Sequence, residues 1–153
     1  LANGARFTRF TLDLASGASS FEVLPGSVAG EFPVWNGAHT GADNRYSWLG
    51  SIVENGTPYD FNAYQKIDHA KGELTLHDYG AGRFNSEANF VPSLHRSGED
   101  AGYLVSIVSN HARRKSEAVI VDAQDMQREV AVIPLRHHVP FGFHGNFYPQ
   151  VFT

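Results

Sequence analysis

The chain has 153 residues, 12 basic and 16 acidic side chains and a formal net charge of −4, so one domain over residues 1–153 is expected. The only basic run is the short ARRK at 112–115, which excludes a nucleic-acid-binding stripe. Cysteine is absent, which excludes disulfides, thiol nucleophiles and Cys-ligated zinc. The lack of cysteine fits a reducing compartment, and we expect a cytoplasmic protein.

In chain order, short segments of alternating apolar and polar residues follow one another, separated by Gly, Asn, Asp and Pro. This pattern predicts strands and no helix, and hence an all-β sandwich, barrel or propeller. The predicted strands lie within residues 6–14, 19–25, 46–53, 62–68, 73–79, 103–109, 117–123 and 129–135.

An internal repeat favours the propeller. Asp13, Asp68 and Asp122 each stand between one predicted strand and the strand that returns, at intervals of 55 and 54 residues. That interval is close to the length of a four-stranded propeller blade. The aspartates themselves are expected to cap turns, because their side chains accept hydrogen bonds from the backbone that follows.

Three ionisable residues recur at a second position of the repeat, one after each of these aspartates. Glu31, Glu87 and His144 are 56 and 57 residues apart, and Gly, Pro or aromatic residues flank each one. Equivalent positions of successive blades lie around one axis, so these side chains are expected to converge. A carboxylate behind a metal-bound imidazole accepts its second N–H, which predicts one metal ligand with two orienting glutamates. The intervals leave coincidence open as the alternative.

Other site chemistries find little support. His137 and His138 are adjacent and point to opposite faces of a strand, so they are not expected to bind one metal. The sequence has no G-x-S-x-G elbow and no phosphate-binding glycine loop, and one His with two Glu lacks an evident nucleophile for a hydrolase.

Five segments together resemble the C-terminal part of the carotenoid cleavage oxygenases, whose relatives include lignostilbene dioxygenases and the retinoid isomerase. They are GEFPV at 30–34, RYSW at 45–48, HDYGAGRFNSEANFVP at 77–92, the stretch 99–124 and VPFGFHGNFYP at 139–149. The resemblance implies part of a seven-bladed β-propeller, with about three blades in this chain. It also implies Fe(II) held on the propeller axis by four histidines, with three glutamates behind them.

Carried over residue by residue, the resemblance implies that His144 is the last iron ligand and that Glu31 and Glu87 orient iron histidines. The remaining ligands are then expected in an upstream part of the same propeller. The implied reaction is Fe(II)-dependent oxidative cleavage of a conjugated C=C bond in an apocarotenoid or a stilbene/phenylpropanoid, with O₂ and this apolar substrate as partners. Phe141 and Phe143 are candidates for the substrate wall, with core packing as the alternative.

Two departures from the family pattern touch loop packing. Ala-Asn-Phe follows Glu87 where Pro and an aliphatic residue are usual, and the segment 31–35 lacks the basic residue that often follows E-F-P. A different class of function also stays open. Three blades leave sheet edges exposed, so the chain is also compatible with a non-catalytic β-propeller module for binding or assembly.

Overall fold

The computed structural model of the protein describes residues 5–53, 60–142 and 144–150. Within them the regular structure is eleven strands and one short 3₁₀ turn at Gly37–His39, which confirms the all-β prediction. The strands are β1 Thr8–Leu12, β2 Ser19–Val23, β3 Gly30–Val34, β4 Tyr46–Ser51, β5 Ala63–Asp68, β6 Glu73–Asp78, β7 Arg83–Asn85, β8 Asn89–Pro92, β9 Gly102–Asn110, β10 Lys115–Asp122 and β11 Glu129–Pro134.

The strands form three antiparallel sheets in chain order. β1 and β2 make a hairpin, and β3-β4-β5-β6 make a four-stranded sheet. In the last sheet β9 pairs on one side with β10 and then β11, and on the other side with β7 and β8 in turn. Two complete blades and a further two-stranded hairpin thus correspond to the about three blades that the resemblance implies.

The repeated aspartates cap turns as predicted. In each case Oδ1 accepts hydrogen bonds from the backbone N–H groups two and three residues further on, at Ala15 and Ser16, at Ala70 and Lys71, and at Gln124 and Asp125. The three turns therefore share one capping geometry, although the outer strand begins six, five and seven residues after Asp13, Asp68 and Asp122.

The core joins the two complete blades. Trp48 and Tyr64 from the first of them pack with Leu104, Val108 and Val119 from the second, all with 1% or less of their surface exposed. Trp48 stacks on Phe90 with ring centroids 5.0 Å apart. Each fully buried apolar side chain contributes about 1.5–3 kcal/mol to folding, so this cluster holds the two blades in a fixed relation.

The β1–β2 hairpin differs from the other sheets because much of its apolar surface is open. Phe10 and Phe21 are each 71% exposed, and Leu12 and Leu14 are also exposed. Among the described residues, no helix has the length and apolar character required to cross a membrane.

Candidate metal centre

His144 and Glu87 meet where the C-terminal segment passes the last blade. His144 Nδ1 lies 3.3 Å from Glu87 Oε2, and the backbone N–H of Gly145 donates to the same oxygen at 3.0 Å. The Glu87 side chain is 19% exposed and the His144 side chain 75% exposed. The structure thus brings together two of the three residues that the repeat singles out, in the carboxylate–imidazole contact expected behind a metal ligand.

A one-residue bulge presents Glu87. Asn85 pairs with Val108 and Asn89 with Val105, so this strand uses one residue more than β9 over the same stretch. Within the interruption Ala88 is buried, whereas the Glu87 side chain is 19% exposed. A bulge of this kind turns a side chain away from the regular alternation, which here directs the carboxylate toward His144.

Tyr64 fixes the backbone next to this bulge. Its hydroxyl donates a hydrogen bond to the carbonyl of Ser86, while the Ser86 backbone N–H donates to Ile107 O at 2.9 Å. Burial raises the pKa of the Tyr64 phenol well above its ordinary value, so the hydroxyl stays a donor at physiological pH. The residue before Glu87 is therefore fixed on both sides.

A second one-residue bulge lies in β3. Glu31 pairs with Gly50 and Val34 with Trp48, so β3 also carries one residue more than its partner. Phe32, inside this bulge, adopts the left-handed φ of 56°. Its ring meets His144 edge to face at 5.7 Å and 89°, and it meets Phe61 at 5.4 Å. Phe32 therefore supports the imidazole on a second side.

Glu31 itself does not join this pair. Its side chain is exposed and, over the described residues, makes no hydrogen bond or ion pair with Glu87 or His144. It lines a separate hollow with Pro33 and Trp35. Glu31 lies on β3, the first strand of the preceding sheet, and its orienting role stays a prediction.

Phe141 lies beside the candidate centre. It is 58% exposed and lines a cleft of about 370 Å³ together with Glu87, His144 and Ile107. Its role as substrate wall or as packing against other parts of the propeller stays a prediction. Phe143, the other candidate for the substrate wall, lies outside the described residues.

The donor set is that of one ligand rather than a whole metal site. Among the described residues no group of three or more His, Asp or Glu side chains is arranged to hold a metal ion. His137 and His138 are exposed and, in the part of the chain that the structure describes, do not line the His144 cleft; that they do not share a metal stays a prediction. One imidazole with a carboxylate behind its Nδ1 fits a metal such as iron only if further ligands come from other blades.

Phe32 and the backbone N–H of Gly145 contact His144 and Glu87 but were not predicted from the sequence as parts of the site. The E-F-P triplet was recognised for Glu31, but its central Phe is the residue that contacts His144. A signal was present in the spacing, since Phe32 directly follows the repeated position.

Known proteins of one family are similar to the chain over most of its length. The family model described as RPE65, retinal pigment epithelial membrane protein, matches residues 2–149. The chain belongs to this family. Among its relatives, the apocarotenoid-15,15'-oxygenase of Synechocystis sp. is 31% identical over 140 residues, which cover 91% of this chain and 28% of the relative. A carotenoid 9,10(9',10')-cleavage dioxygenase of Crocus sativus is 36% identical, over 88% of this chain and 27% of the relative.

The RPE65-family assignment extends to the fold. The structure of cobalt-substituted Synechocystis ACO superposes with a TM-score of 0.89 and 29% identity, over 97% of this chain and 31% of that one. The chain is therefore part of a seven-bladed β-propeller, which confirms the fold expectation. It spans less than a third of the length of these relatives.

Proposed function

We propose that this chain is the part of a non-haem iron oxygenase that contributes one iron ligand, His144, and two orienting carboxylates, Glu87 and Glu31. The complete protein would cleave a conjugated C=C bond of an apocarotenoid or a stilbene/phenylpropanoid by oxidation. The observation that carries the proposal is the contact of 3.3 Å between His144 Nδ1 and Glu87 Oε2. The names of the carotenoid-cleaving relatives support the reaction class.

The role of Glu87 follows from hydrogen-bond chemistry. When Glu87 Oε2 accepts the Nδ1 proton of neutral His144, the imidazole carries its lone pair on Nε2, which is the nitrogen that a metal then binds. The Gly145 N–H donates to the same carboxylate oxygen and keeps it in place. Tautomer and ring direction are thereby set before a metal arrives.

The apolar surroundings suit a hydrophobic substrate. Phe32 packs against the His144 ring, and Phe141 borders the cleft of about 370 Å³ beside it. A volume of this size lies within the range of small-molecule sites. Bound iron would supply the activation of O₂, while these aromatic side chains exclude water and hold a conjugated chain near it.

Metal dependence draws support from two sides. The structurally similar Synechocystis ACO has been crystallised in a cobalt-substituted form. In this chain, His144 is highly exposed at its ring and backed by a carboxylate. Iron in particular rests on the family resemblance.

The test uses the complete iron-loaded protein, an apocarotenal and a hydroxylated stilbene. Cleavage adds one O₂ across the double bond and yields two carbonyl products, so the expected result is a pair of shorter aldehydes or ketones that appear only with oxygen. If iron is stoichiometric and neither substrate class is converted, the proposed reaction is wrong.

A non-catalytic propeller module is the second candidate, favoured by the exposed apolar face of the β1–β2 hairpin, with Phe10 and Phe21 each 71% exposed. Large open apolar patches mark interaction surfaces. In that case the complete protein would bind a partner while holding no stoichiometric iron, and metal analysis separates the two candidates.

A further inference from the structure

The turn aspartates of the two complete blades carry the same clamp, beginning with Asp68. Arg45 donates to Asp68 from Nε at 3.0 Å and from Nη2 at 2.7 Å. The guanidinium lies 4.9 Å from the ring centre of Tyr46. Tyr46 is the direct cross-strand partner of Asp68. Tyr46 of β4, Asp68 of β5 and Arg45, which directly precedes β4, thus contact one another at the end of the sheet.

The next blade repeats the clamp with different spacing. Arg96 Nη1 donates to both carboxylate oxygens of Asp122, at 2.9 and 2.8 Å. Its guanidinium lies 4.9 Å from the Tyr103 ring, and Tyr103 is the cross-strand partner of Asp122. The arginine precedes its aspartate by 26 residues here and by 23 in the first clamp. Arg45 binds through Nε and Nη2 and Arg96 through Nη1 alone, yet each aspartate has the same two partners, an arginine and a cross-strand tyrosine. This recurrence despite unequal loops indicates a feature of the blade.

Asp13 occupies the equivalent position in the β1–β2 hairpin, where the described residues show the backbone turn cap without an arginine or a cross-strand tyrosine. Its Oδ1 accepts the two backbone N–H groups of the turn, as in the other blades, whereas its Oδ2 accepts the hydroxyl of Ser16. Among the described strands, β1 pairs only with β2, so the edge that β4 and β9 fill in their blades is open. Phe10 and Leu12 on β1 are exposed beside it.

We propose that the open edge of β1 receives a strand from the preceding part of the same polypeptide, with an aromatic residue opposite Asp13 and an arginine clamped on Asp13 Oδ2. Ser16 does not block this pairing, because its hydroxyl rotates and a carboxylate oxygen accepts more than one hydrogen bond. The inference rests on the blade repeat and is independent of the proposed iron chemistry. By the spacing of the two clamps, the arginine stands about 23–26 residues before Asp13.

The first step of the test is the encoded sequence upstream of Leu1. We expect an arginine about 23–26 residues before Asp13, or within about three residues of that range, and then a Tyr, Phe or Trp between this arginine and Leu1. A range without arginine overturns the proposal, whatever the enzyme's activity.

The second step tests the strand register in the complete protein by cross-linking. The 153-residue chain contains no cysteine, so an introduced pair has no competitor within it. Asp13→Cys is combined with a cysteine in place of the aromatic residue, and in a matched control with a cysteine two residues further along the same strand. Direct cross-strand partners lie about 4.5–5.5 Å apart at Cα, within disulfide reach, whereas the control pair does not. A disulfide in the first pair alone is expected; equal or absent cross-linking in both overturns the register.

The third step tests the ion pair through a double-mutant cycle. Asp13→Asn and Arg→Gln at the identified arginine should each shift the unfolding equilibrium of the complete protein by about two- to fivefold, and the double variant should be no worse than either. Arg45→Gln with Asp68→Asn is the matched cycle. If Ser16→Ala alone reproduces the effect of Asp13→Asn, Ser16 is the partner that matters and the clamp is absent. If the effects of Asp13→Asn and of the Arg→Gln change are additive, the two residues do not interact, which also overturns the clamp.

Discussion

At the scale of single residues, the imidazole of His144 is supported from two directions. Glu87 Oε2 lies 3.3 Å from its Nδ1, and the Phe32 ring packs against its edge at 5.7 Å. Both supporting residues belong to one-residue bulges, in β3 and between β7 and β8. Bulges of this kind recur beside functional sites because they redirect a side chain without breaking the sheet.

Removing the charge behind the imidazole should weaken metal binding. We expect Glu87→Gln, and likewise Glu31→Gln, to lower the iron affinity of the complete protein about 10–100-fold, as is usual for changes behind a ligand. Competition with a chelator of known affinity measures this. Glu73→Gln on exposed β6 is the matched control and should leave the affinity unchanged. Equal affinities in the Glu87 variant and the control would remove the orienting role.

Phe32 should affect turnover through the position of the His144 ring. Phe32→Leu loses the edge-to-face contact, worth about 0.5–1.5 kcal/mol, so kcat is expected to fall about two- to tenfold. Phe32→Tyr keeps the ring and should restore most of the activity. Steady-state kinetics on both variants gives the answer, and a Leu variant as active as the Tyr variant would speak against a positioning role.

The sequence predicted the pair of Glu87 and His144, but it did not predict that Phe32 packs against the imidazole. The repeat interval predicted that Glu87 and His144 occupy equivalent positions of successive blades, and the structure shows the two side chains in contact. The conformation of Phe32 was not predictable, because the following Pro33 biases a residue toward extended backbone, whereas Phe32 has a φ of 56°. The surrounding contacts with Phe61 and His144 override that local preference.

At the scale of elements, turn chemistry determines the blades. Alternation alone predicted most of the strands, and the capping aspartates predicted where each outer hairpin turns. The short strands β3, β7 and β8 were not separately predicted, because bulges interrupt their alternation. The arginine clamps were also missed, since Arg45 and Arg96 lie 23 and 26 residues from their aspartates in loops of different length.

The clamp at Asp68 predicts a specific pH dependence. Arg45 and the turn N–H groups lower the pKa of Asp68 from 3.8 to about 2. A carboxyl with a depressed pKa in the folded state stabilises the fold fully above its unfolded pKa, and this stabilisation is lost as the pH falls toward 2. The free-energy difference between wild type and Asp68→Asn should therefore shrink from pH 5 to pH 2.5.

Urea denaturation of the complete protein at several pH values measures this difference. Asp43→Asn, at an exposed loop position, is the control and should show no such convergence. A difference between wild type and Asp68→Asn that stays constant over the range would mean that the Arg45 pair does not act through the charge of Asp68.

Taken together, the described strands form two complete blades and the β1–β2 hairpin, whose apolar face is exposed. Phe10 and Phe21 pair across β1 and β2 with their rings 6.0 Å apart, yet both are largely exposed. The repeat and the resemblance predicted this portion of a propeller. How the ring closes was not predictable, because the covering strands lie outside these residues.

The open face should make the isolated chain self-associate. Exposed apolar surface next to an unpaired strand edge favours pairing between copies. Light scattering on the purified 153-residue chain is expected to show oligomers, and Phe10→Lys with Phe21→Lys should reduce their size. A monodisperse monomer at millimolar concentration would show that the hairpin face is compatible with solvent.

In the proposed iron site His144 is a ligand, whereas the neighbouring His137 and His138 are not. Iron per complete protein, measured by plasma mass spectrometry, tests this assignment in wild type, His144→Ala and the matched control His137→Ala. Near-stoichiometric iron is predicted in wild type and in the His137 variant, with near-zero iron in the His144 variant. Undiminished iron in His144→Ala would contradict the assignment of this residue as a ligand.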